Sequence, residues 1–248
     1  MATIENRRFE RIINANTQFL SGPDSRGREL LFLVKVFFQF LNGFRKLHFV
    51  GPCITVFGSA RFREDHPYYI QARELGGTLS ELGFAIMTGG GPGIMEAANR
   101  GAYEKGALSL GCTIKLPKEQ ESNPYLNRTV DFDYFFIRKV LLVKYSYAFI
   151  VMPGGFGTLD ELFETLTLIQ TGILHHFPVV IMGKDYYRDV VSLIDSMILE
   201  KTILEKDRDL ILFTDDTNEA VEHIQKFIKS TYTIKYKPKW FLGEKFSF

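Results

Sequence analysis

Two glycine-rich segments, each between an apolar run and a helix-forming stretch, have the composition of anion-binding loops. One runs from Thr88 to Gly93 and the other from Met152 to Thr158. Glycines let a backbone approach an anion closely, and a helix N-terminus presents unpaired N–H groups and the positive end of a dipole. The second segment adds the hydroxyl of Thr158. Both segments therefore predict a site for a phosphate group.

Neither segment fits a longer phosphate ligand. The dinucleotide pattern Gly-x-Gly-x-x-Gly would need its last glycine at Ile94 or Glu96 in the first segment and at Asp160 in the second. Neither segment ends in Gly-Lys-Ser/Thr, as the triphosphate P-loop does. We therefore expect one phosphate and its sugar, and neither a dinucleotide nor a triphosphate.

Glu96 and Glu161 lie early in the helices that follow these segments, and Arg138 lies at the start of the helix that precedes the second segment. A carboxylate such as Glu161 can stabilise positive charge on a sugar or orient a water molecule. Each residue also has a structural alternative. Thr158 and Glu161 match a capping box, Glu96 would favour the positive end of its helix, and Arg138 would be a solvated charge at a helix start. The residues alone leave these alternatives open.

Apolar runs and helical segments alternate from residue 52 to about residue 230. The pattern predicts strands at 53–57, 84–88, 108–114, 130–135, 148–152, 179–182 and 210–213, and helices at about 68–82, 93–105, 137–147, 158–170, 186–199 and 218–229. Continuously apolar strands between helices are typical of a Rossmann-like α/β fold, a doubly wound parallel sheet with helices on both faces. Such sheets bind ligands beyond the carboxyl ends of their strands. Glycines follow three predicted strands, at Gly58, Gly89 to Gly93 and Gly154 to Gly157, and they locate the site.

The remaining segments are predicted as extensions of a catalytic domain that spans residues 51–230. Residues 1–50 form an N-terminal helical extension, whose second helix, at about 28–47, is apolar on more than one face. That indicates burial against another element or another subunit, with an interfacial membrane helix as the alternative. The basic and aromatic tail, 231–248, is expected to pack onto the body or onto a neighbouring subunit. The alternative is that the tail binds single-stranded nucleic acid.

Composition excludes several classes of protein. The net charge of +1 over 248 residues gives no reason to expect a nucleic-acid partner. The first ten residues are polar, and the longest apolar stretch, 30–41, is shorter than the roughly 20 residues that span a bilayer. We therefore expect a cytoplasmic protein without a membrane partner. Cys53 and Cys112 are expected to be buried free thiols, and no metal-ligand cluster or cofactor is expected.

The second glycine-rich segment resembles the LONELY GUY (LOG) family of cytokinin-activating phosphoribohydrolases, long labelled lysine decarboxylases. The family pattern Pro-Gly-Gly-x-Gly-Thr-x-x-Glu is matched from Pro153 to Glu161, its Arg-Lys pair by Arg138 and Lys139, and its glycine-rich loop by Gly89 to Gly93. The resemblance covers about residues 52–230.

This resemblance implies a Rossmann-like fold and hydrolysis of the N-glycosidic bond of a nucleoside 5'-monophosphate. Arg138 and Glu161 would be the catalytic pair. The phosphate would be held by Gly154, Gly155, Gly157 and Thr158, and further substrate contacts would come from Gly58, Ser59, Gly90, Gly91, Glu96 and Met152. The protein would be a homodimer or a larger assembly, up to a hexamer.

Some residues depart from the short plant-type members of that family, which have a glycine at the position of Glu96. The run Gly91 to Ala97, the run Gly58 to Arg61 and the N-terminal extension are similar to longer, often hexameric bacterial members and to nucleotide 5'-monophosphate nucleosidases. AMP and N6-modified adenine nucleotides are therefore both candidate substrates.

Three other functions compete with the hydrolase. A non-catalytic carrier of a nucleotide or of a phosphorylated cofactor, such as the molybdenum-cofactor carriers, would use a similar fold and similar loops. It would not need both Arg138 and Glu161. A pyridoxal-phosphate decarboxylase would need a lysine site that the sequence does not suggest. A structural or interaction protein is favoured only by the apolar N-terminal helices and the aromatic tail.

Overall fold

A seven-stranded sheet forms the centre of the protein in a computed structural model, which describes residues 20, 22, 23, 25–114, 122–175 and 177–231. All adjacent strands are parallel, in the order β4-β3-β2-β1-β5-β6-β7. Strands β1, β2, β5 and β6 are buried along their whole length, which explains their continuously apolar sequences. The strands are β1 (Cys53–Phe57), β2 (Ala85–Thr88), β3 (Ser109–Ile114), β4 (Arg128–Phe132), β5 (Ala148–Val151), β6 (Val179–Met182) and β7 (Ile211–Thr214).

Helices cover both faces of this sheet. They are α1 (Arg26–Leu47), α2 (Pro67–Glu81), α3 (Ile94–Glu104), α4 (Phe135–Tyr145), α5 (Phe156–Gln170), α6 (Arg188–Leu199) and α7 (Thr217–Thr231), with a 3-10 helix at Glu205–Leu210. One apolar core lies between the sheet and α1, α4, α5 and α6, and the other lies between the sheet and α2, α3 and α7. The doubly wound α/β fold predicted from the sequence is confirmed.

The boundaries of the described elements agree with the predicted ones to within two residues, except at β4. The predicted strand 130–135 was wrong at its end, because β4 ends at Phe132 and Phe135 already begins α4. β4 is an edge strand whose burial is interrupted at Asp131, and Phe135 and Phe136 are exposed helical residues. The aromatic run therefore does not continue the strand. The 3-10 helix was not predicted.

The strand order reverses between β1 and β5. The chain lays down β2, β3 and β4 on one side of β1, then crosses to place β5, β6 and β7 on the other. Ile54 pairs with Ala148, and Phe57 pairs with Val151 at the carboxyl ends. Because the connections leave this pair of strands in opposite directions, a crevice opens there. Two of the three predicted glycine loops begin directly after these two strands.

Helix α1 is half covered. Phe32, Val36 and Phe40 pack against the first core, and the Gln39 amide donates a 2.7 Å hydrogen bond to the Asp133 carboxylate. A second row of large apolar side chains is exposed, consisting of Leu30, Leu33, Phe37, Leu41 and Phe44. We call this row the α1 apolar face. No helix within the described ranges is both long and apolar enough to cross a membrane. The tail 232–248 and residues 1–19, where the first helix was predicted, lie outside the described residues.

Candidate active site

A cavity of about 650 Å³ occupies the crevice between the carboxyl ends of β1 and β5. Its size suits a nucleotide, because small-molecule sites typically enclose about 300–1,000 Å³. Residues from all three glycine loops and from helices α3, α4 and α5 line it. The lining includes Gly58, Ser59, Arg61, Phe62, Gly89, Met95, Phe135, Arg138, Gly154, Gly155, Phe156, Gly157, Thr158, Glu161 and Tyr186.

Ser59 joins the three loops. Its amide donates to the carbonyl of Pro153 over 2.9 Å, and its carbonyl accepts from the amide of Ile94 over 2.9 Å. Gly58 must be a glycine because a Cβ there would lie 2.6 Å from the Cβ of Ile94. The end of β1 is thus clamped between the phosphate-loop candidate after β5 and the start of α3.

The reason for a glycine differs between position 154 and positions 155 and 157. A Cβ at Gly154 would overlap the side chain of Thr158 and lie 2.7 Å from its Cβ, so the turn itself requires this glycine. A Cβ at Gly155 or at Gly157 would meet no atom of the described residues within 4 Å, and neither residue has a positive φ. Packing does not explain these two glycines. Both line the cavity at the start of α5, where close approach of an anion to the backbone would explain them.

Arg138 and Glu161 meet at the wall of the cavity. The guanidinium Nη2 of Arg138 lies 3.6 Å from Oε1 of Glu161, a distance for an ion pair but too long for a hydrogen bond. The Glu161 side chain is only 2% exposed, yet neither of its oxygens, nor Nε of Arg138, has a hydrogen-bond partner among the described residues. Buried polar atoms are nearly always paired. These unpaired atoms at a cavity wall are therefore suited to a ligand or a reacting water.

Burial raises the pKa of Glu161 from its usual 4.5 to about 7, and the positive charges of Arg138 and Lys139 oppose the rise. A carboxyl group with a pKa near neutrality can exchange a proton at working pH, which is what acid–base catalysis requires. The capping-box alternative for Glu161 is wrong. Helix α5 begins at Phe156, two residues before the predicted start, so Thr158 is its third residue and not its N-cap, and no side chain of the described residues caps the helix at Gly155.

Lys139 follows Arg138 on α4 and faces the carboxylates that flank Glu161. Its ammonium group lies 3.0 Å from the Asp160 carboxylate and 2.8 Å from that of Glu164. Its side chain is 17% exposed, whereas those of Asp160 and Glu164 are 59% and 35% exposed, so water reaches the carboxylate side of both contacts. Lys139 therefore fastens α4 to the first turns of α5 and places a positive charge beside Glu161.

Four predicted substrate contacts are absent from the described cavity lining. The Glu96 carboxylate accepts a 2.9 Å hydrogen bond from the Tyr69 hydroxyl, and Met152 is fully buried in the second core. Gly90 has a φ of +75° and accepts a bond from the amide of Asn123. The Asn123 side chain donates to the carbonyl of Gly91. These four predicted contacts do not line the described cavity. The predicted site residues that the structure brings together at the cavity are Gly58, Ser59, Arg138, Gly154, Gly155, Gly157, Thr158 and Glu161.

The cavity also has lining residues that the sequence did not single out. Phe156 begins α5 with its side chain 94% exposed, and Phe62 and Tyr186 complete an aromatic rim. Arg61 adds a second guanidinium, so the described lining has two cations and one carboxylate, a balance that suits an anion. In the sequence, the position of Arg61 two residues after Ser59 could have identified it as a site residue. No sequence pattern could have identified Tyr186. The described residues contain no cluster of potential metal ligands.

A doubly wound parallel sheet with a phosphate-loop candidate and a buried carboxylate–guanidinium pair at its switch point defines a Rossmann-like protein with a candidate site for a sugar phosphate. The sequence matches the family model described as "Possible lysine decarboxylase" over residues 95–224, more than half of the chain. A relative, the cytokinin riboside 5'-monophosphate phosphoribohydrolase LOG of Oryza sativa subsp. japonica, is 32% identical over 190 residues, covering 75% of this chain and 77% of that protein. LOG3 of Arabidopsis thaliana, which has the same enzyme name, is 30% identical over 193 residues, covering 75% and 88%.

The chain therefore belongs to the family of the LOG phosphoribohydrolases, and the resemblance found in its sequence is confirmed. Among solved structures, the molybdenum cofactor binding protein from the phototrophic bacterium Rippkaea orientalis has a TM-score of 0.54 at 22% identity, over 71% of this chain and 97% of that one. At that identity the likeness concerns the fold alone.

Proposed function

We propose that this protein hydrolyses the N-glycosidic bond of nucleoside 5'-monophosphates, AMP and N6-modified adenine nucleotides among them, releasing the base and ribose 5-phosphate. The observation that carries the proposal is the buried Glu161, whose two oxygens have no hydrogen-bond partner among the described residues and which lies 3.6 Å from Arg138 on the helix that follows the phosphate-loop candidate. The enzyme names of the relatives support it.

The reaction breaks the bond between the base nitrogen and C1' of the ribose, and the oxygen of water becomes bonded to C1'. Positive charge develops on the sugar as the base departs, as in other glycoside hydrolyses. Glu161 as a carboxylate stabilises that charge and takes the proton of the attacking water. Arg138 orients the nucleotide through its planar guanidinium and favours the ionised form of Glu161. A proton must reach the departing base, and the protonated Glu161 formed in the reaction is a source for it.

The phosphate is a handle remote from the reacting bond. The first amides of α5 and the Thr158 hydroxyl would hold it, and that binding energy would orient the sugar over Glu161. The proposal therefore predicts a strong preference for nucleotides over nucleosides.

The test is base release from AMP, from an N6-modified adenosine monophosphate and from adenosine, followed by chromatography. We expect adenine or the modified base from the two nucleotides and far slower release from adenosine. Equal turnover of AMP and adenosine would remove the role given to the phosphate. A panel of monophosphates that bind but are not cleaved would favour the carrier function instead.

Lys139→Met is expected to move the rising limb of the pH profile for AMP cleavage to higher pH. Removing a positive charge beside Glu161 raises the pKa of that carboxyl further above its value of about 7, so the carboxylate forms at higher pH. The measurement is kcat/KM against pH for both proteins. The substrate phosphate also titrates, near pH 6, but equally in the two series, so the difference between them reports the enzyme.

A matched control is Lys105→Met, which breaks a 2.6 Å ion pair with Glu81 between α3 and α2, away from the cavity. It should leave the profile where the wild type has it. A Lys139→Met profile that coincides with the wild-type profile would show that Lys139 has no electrostatic effect on the reaction.

We further propose that copies of this chain associate through the α1 apolar face. Contiguous exposed apolar surface of this kind marks an interaction site. Phe37→Asp places a charge at the middle of the face and should shift the sedimentation profile towards smaller species. Ile70→Asp, the same type of change at an exposed site on α2, should not. An unchanged profile for Phe37→Asp would place any self-association elsewhere.

A further inference from the structure

Two adjacent tyrosines in the turn between β6 and α6 hold the backbone that leads into the phosphate-loop candidate. The hydroxyl of Tyr187 donates to the carbonyl of Met152 over 2.8 Å, and the hydroxyl of Tyr186 donates to the carbonyl of Gly154 over 2.8 Å. The residue between these two, Pro153, has its carbonyl bonded to the amide of Ser59. Three successive carbonyls, those of residues 152–154, are thus each bound by a donor from outside the loop.

The turn that carries the tyrosines is itself fixed. The amides of Gly183 and Lys184 both donate to Oδ1 of Asp215, which follows β7, over 2.8 Å and 2.9 Å. Gly183 has a φ of +97°, and a Cβ there would lie 2.7 Å from Cγ of Pro153. The turn therefore presses against the loop as closely as a glycine permits.

Bound carbonyls matter to an anion site. A carbonyl oxygen that pointed into the cavity would repel a phosphate, whereas amides at a helix N-terminus attract it. With the carbonyls of residues 152–154 engaged elsewhere, the amides that follow at the start of α5 meet no competing acceptor from this stretch. A hydroxyl has one proton, so Tyr186, which lines the cavity, cannot donate to a phosphate while it donates to Gly154.

We infer that Tyr186 and Tyr187 are positioning residues for the phosphate of the substrate, acting through the carbonyls of Gly154 and Met152. The inference rests on the proposed function, in which this loop binds a 5'-phosphate. Tyr187 is 1% exposed, and burial raises the pKa of its hydroxyl, which keeps it protonated as a donor.

Tyr186→Phe and Tyr187→Phe remove only the hydroxyls. We expect each to weaken the binding of ribose 5-phosphate, measured by titration calorimetry, by about fivefold, and the double variant to weaken it more. The Kd of adenosine, which has no phosphate, measured in the same way, should not change. Tyr103→Phe, on the exposed side of α3, is the control and should bind both ligands as the wild type does.

A parallel loss of affinity for ribose 5-phosphate and adenosine would reduce the tyrosines to a general structural role and overturn the inference, as would no loss at all. If Tyr187→Phe does not fold, Tyr186→Phe tests the inference alone, because its ring is half exposed. Wild-type protein that binds ribose 5-phosphate but cleaves no nucleotide would refute the proposed function while leaving this test valid. Wild-type protein that does not bind ribose 5-phosphate would refute the inference.

Discussion

Glu161→Gln is expected to slow adenine release from AMP by about 10²–10⁴-fold, the usual contribution of a positioned acid–base group. Glutamine keeps the shape of the side chain but can neither accept a proton nor carry the negative charge that faces the developing cation. Binding of AMP should persist, because the proposed phosphate contacts are unchanged. Single-turnover base release, together with calorimetric binding of AMP to the variant, separates the two effects.

Glu164→Gln is the matched control for that variant. Glu164 lies one helical turn further along α5 and contacts Lys139, and its side chain is 35% exposed. It should keep nearly wild-type turnover. Retained turnover in Glu161→Gln would show that Glu161 is not the catalyst. Equal losses in the two variants would show that the reaction depends on the total negative charge of α5 and not on Glu161 in particular.

The raised pKa of Glu161 also affects stability. Folding favours its neutral form, so the group contributes stability at low pH that is lost as pH rises from about 4.5 to about 7. Glutamine stays neutral at every pH. The free energy of unfolding of Glu161→Gln, relative to that of the wild type, should therefore increase as pH rises over that range. Urea denaturation at pH 5 and pH 8 measures the difference.

Gly157→Ala is expected to raise stability and lower activity at the same time. The residue is the second of α5, and an alanine Cβ there meets no atom of the described chain within 4 Å, so the helix should gain up to about 1 kcal/mol. The same methyl group would stand where the proposed phosphate site approaches the backbone. A displacement of about 1 Å can cost about 100-fold in rate, so kcat/KM for AMP should fall by that order.

Gly27→Ala separates the two effects. Gly27 is the second residue of α1, and a Cβ there would likewise meet no atom within 4 Å in the part of the chain that the structure describes. It should give a similar rise in unfolding free energy with unchanged kcat/KM. Full activity in Gly157→Ala would show that no ligand needs the space above this glycine.

The parts of the fold that depend on local pattern were predictable. Continuous apolar runs identify buried parallel strands, and glycines after β1, β2 and β5 locate the ligand end of the sheet. The boundary between β4 and α4 was not predictable in the same way. Burial at an edge strand depends on its neighbours, and the aromatic run from Phe132 to Phe136 suits a strand and a helix equally.

The site was predictable only in part. Local sequence could not decide between cap and catalyst for Glu161, since that depends on the burial of its carboxylate and on Arg138, which is 23 positions away in the chain. The hydroxyl of Tyr186 reaches Gly154 across 32 positions, and no motif marks that contact. The distinction between Gly154 and Gly157 likewise requires the three-dimensional surroundings of each.

The pairing of β1 with β5 makes the cavity a property of the completed fold. Ile54 and Ala148 pair although β2, β3 and β4 lie between them in the chain, so the pair forms only when both halves of the sheet are in place. Ser59 then contacts the loop that begins at Met152. A partly folded chain with only one half in place has no such cavity, so a nucleotide that binds there binds the native state alone. Ligand at 100 times its Kd would then add about 2.7 kcal/mol to the free energy of unfolding. The thermal midpoint of this protein thereby becomes a reporter of nucleotide concentration.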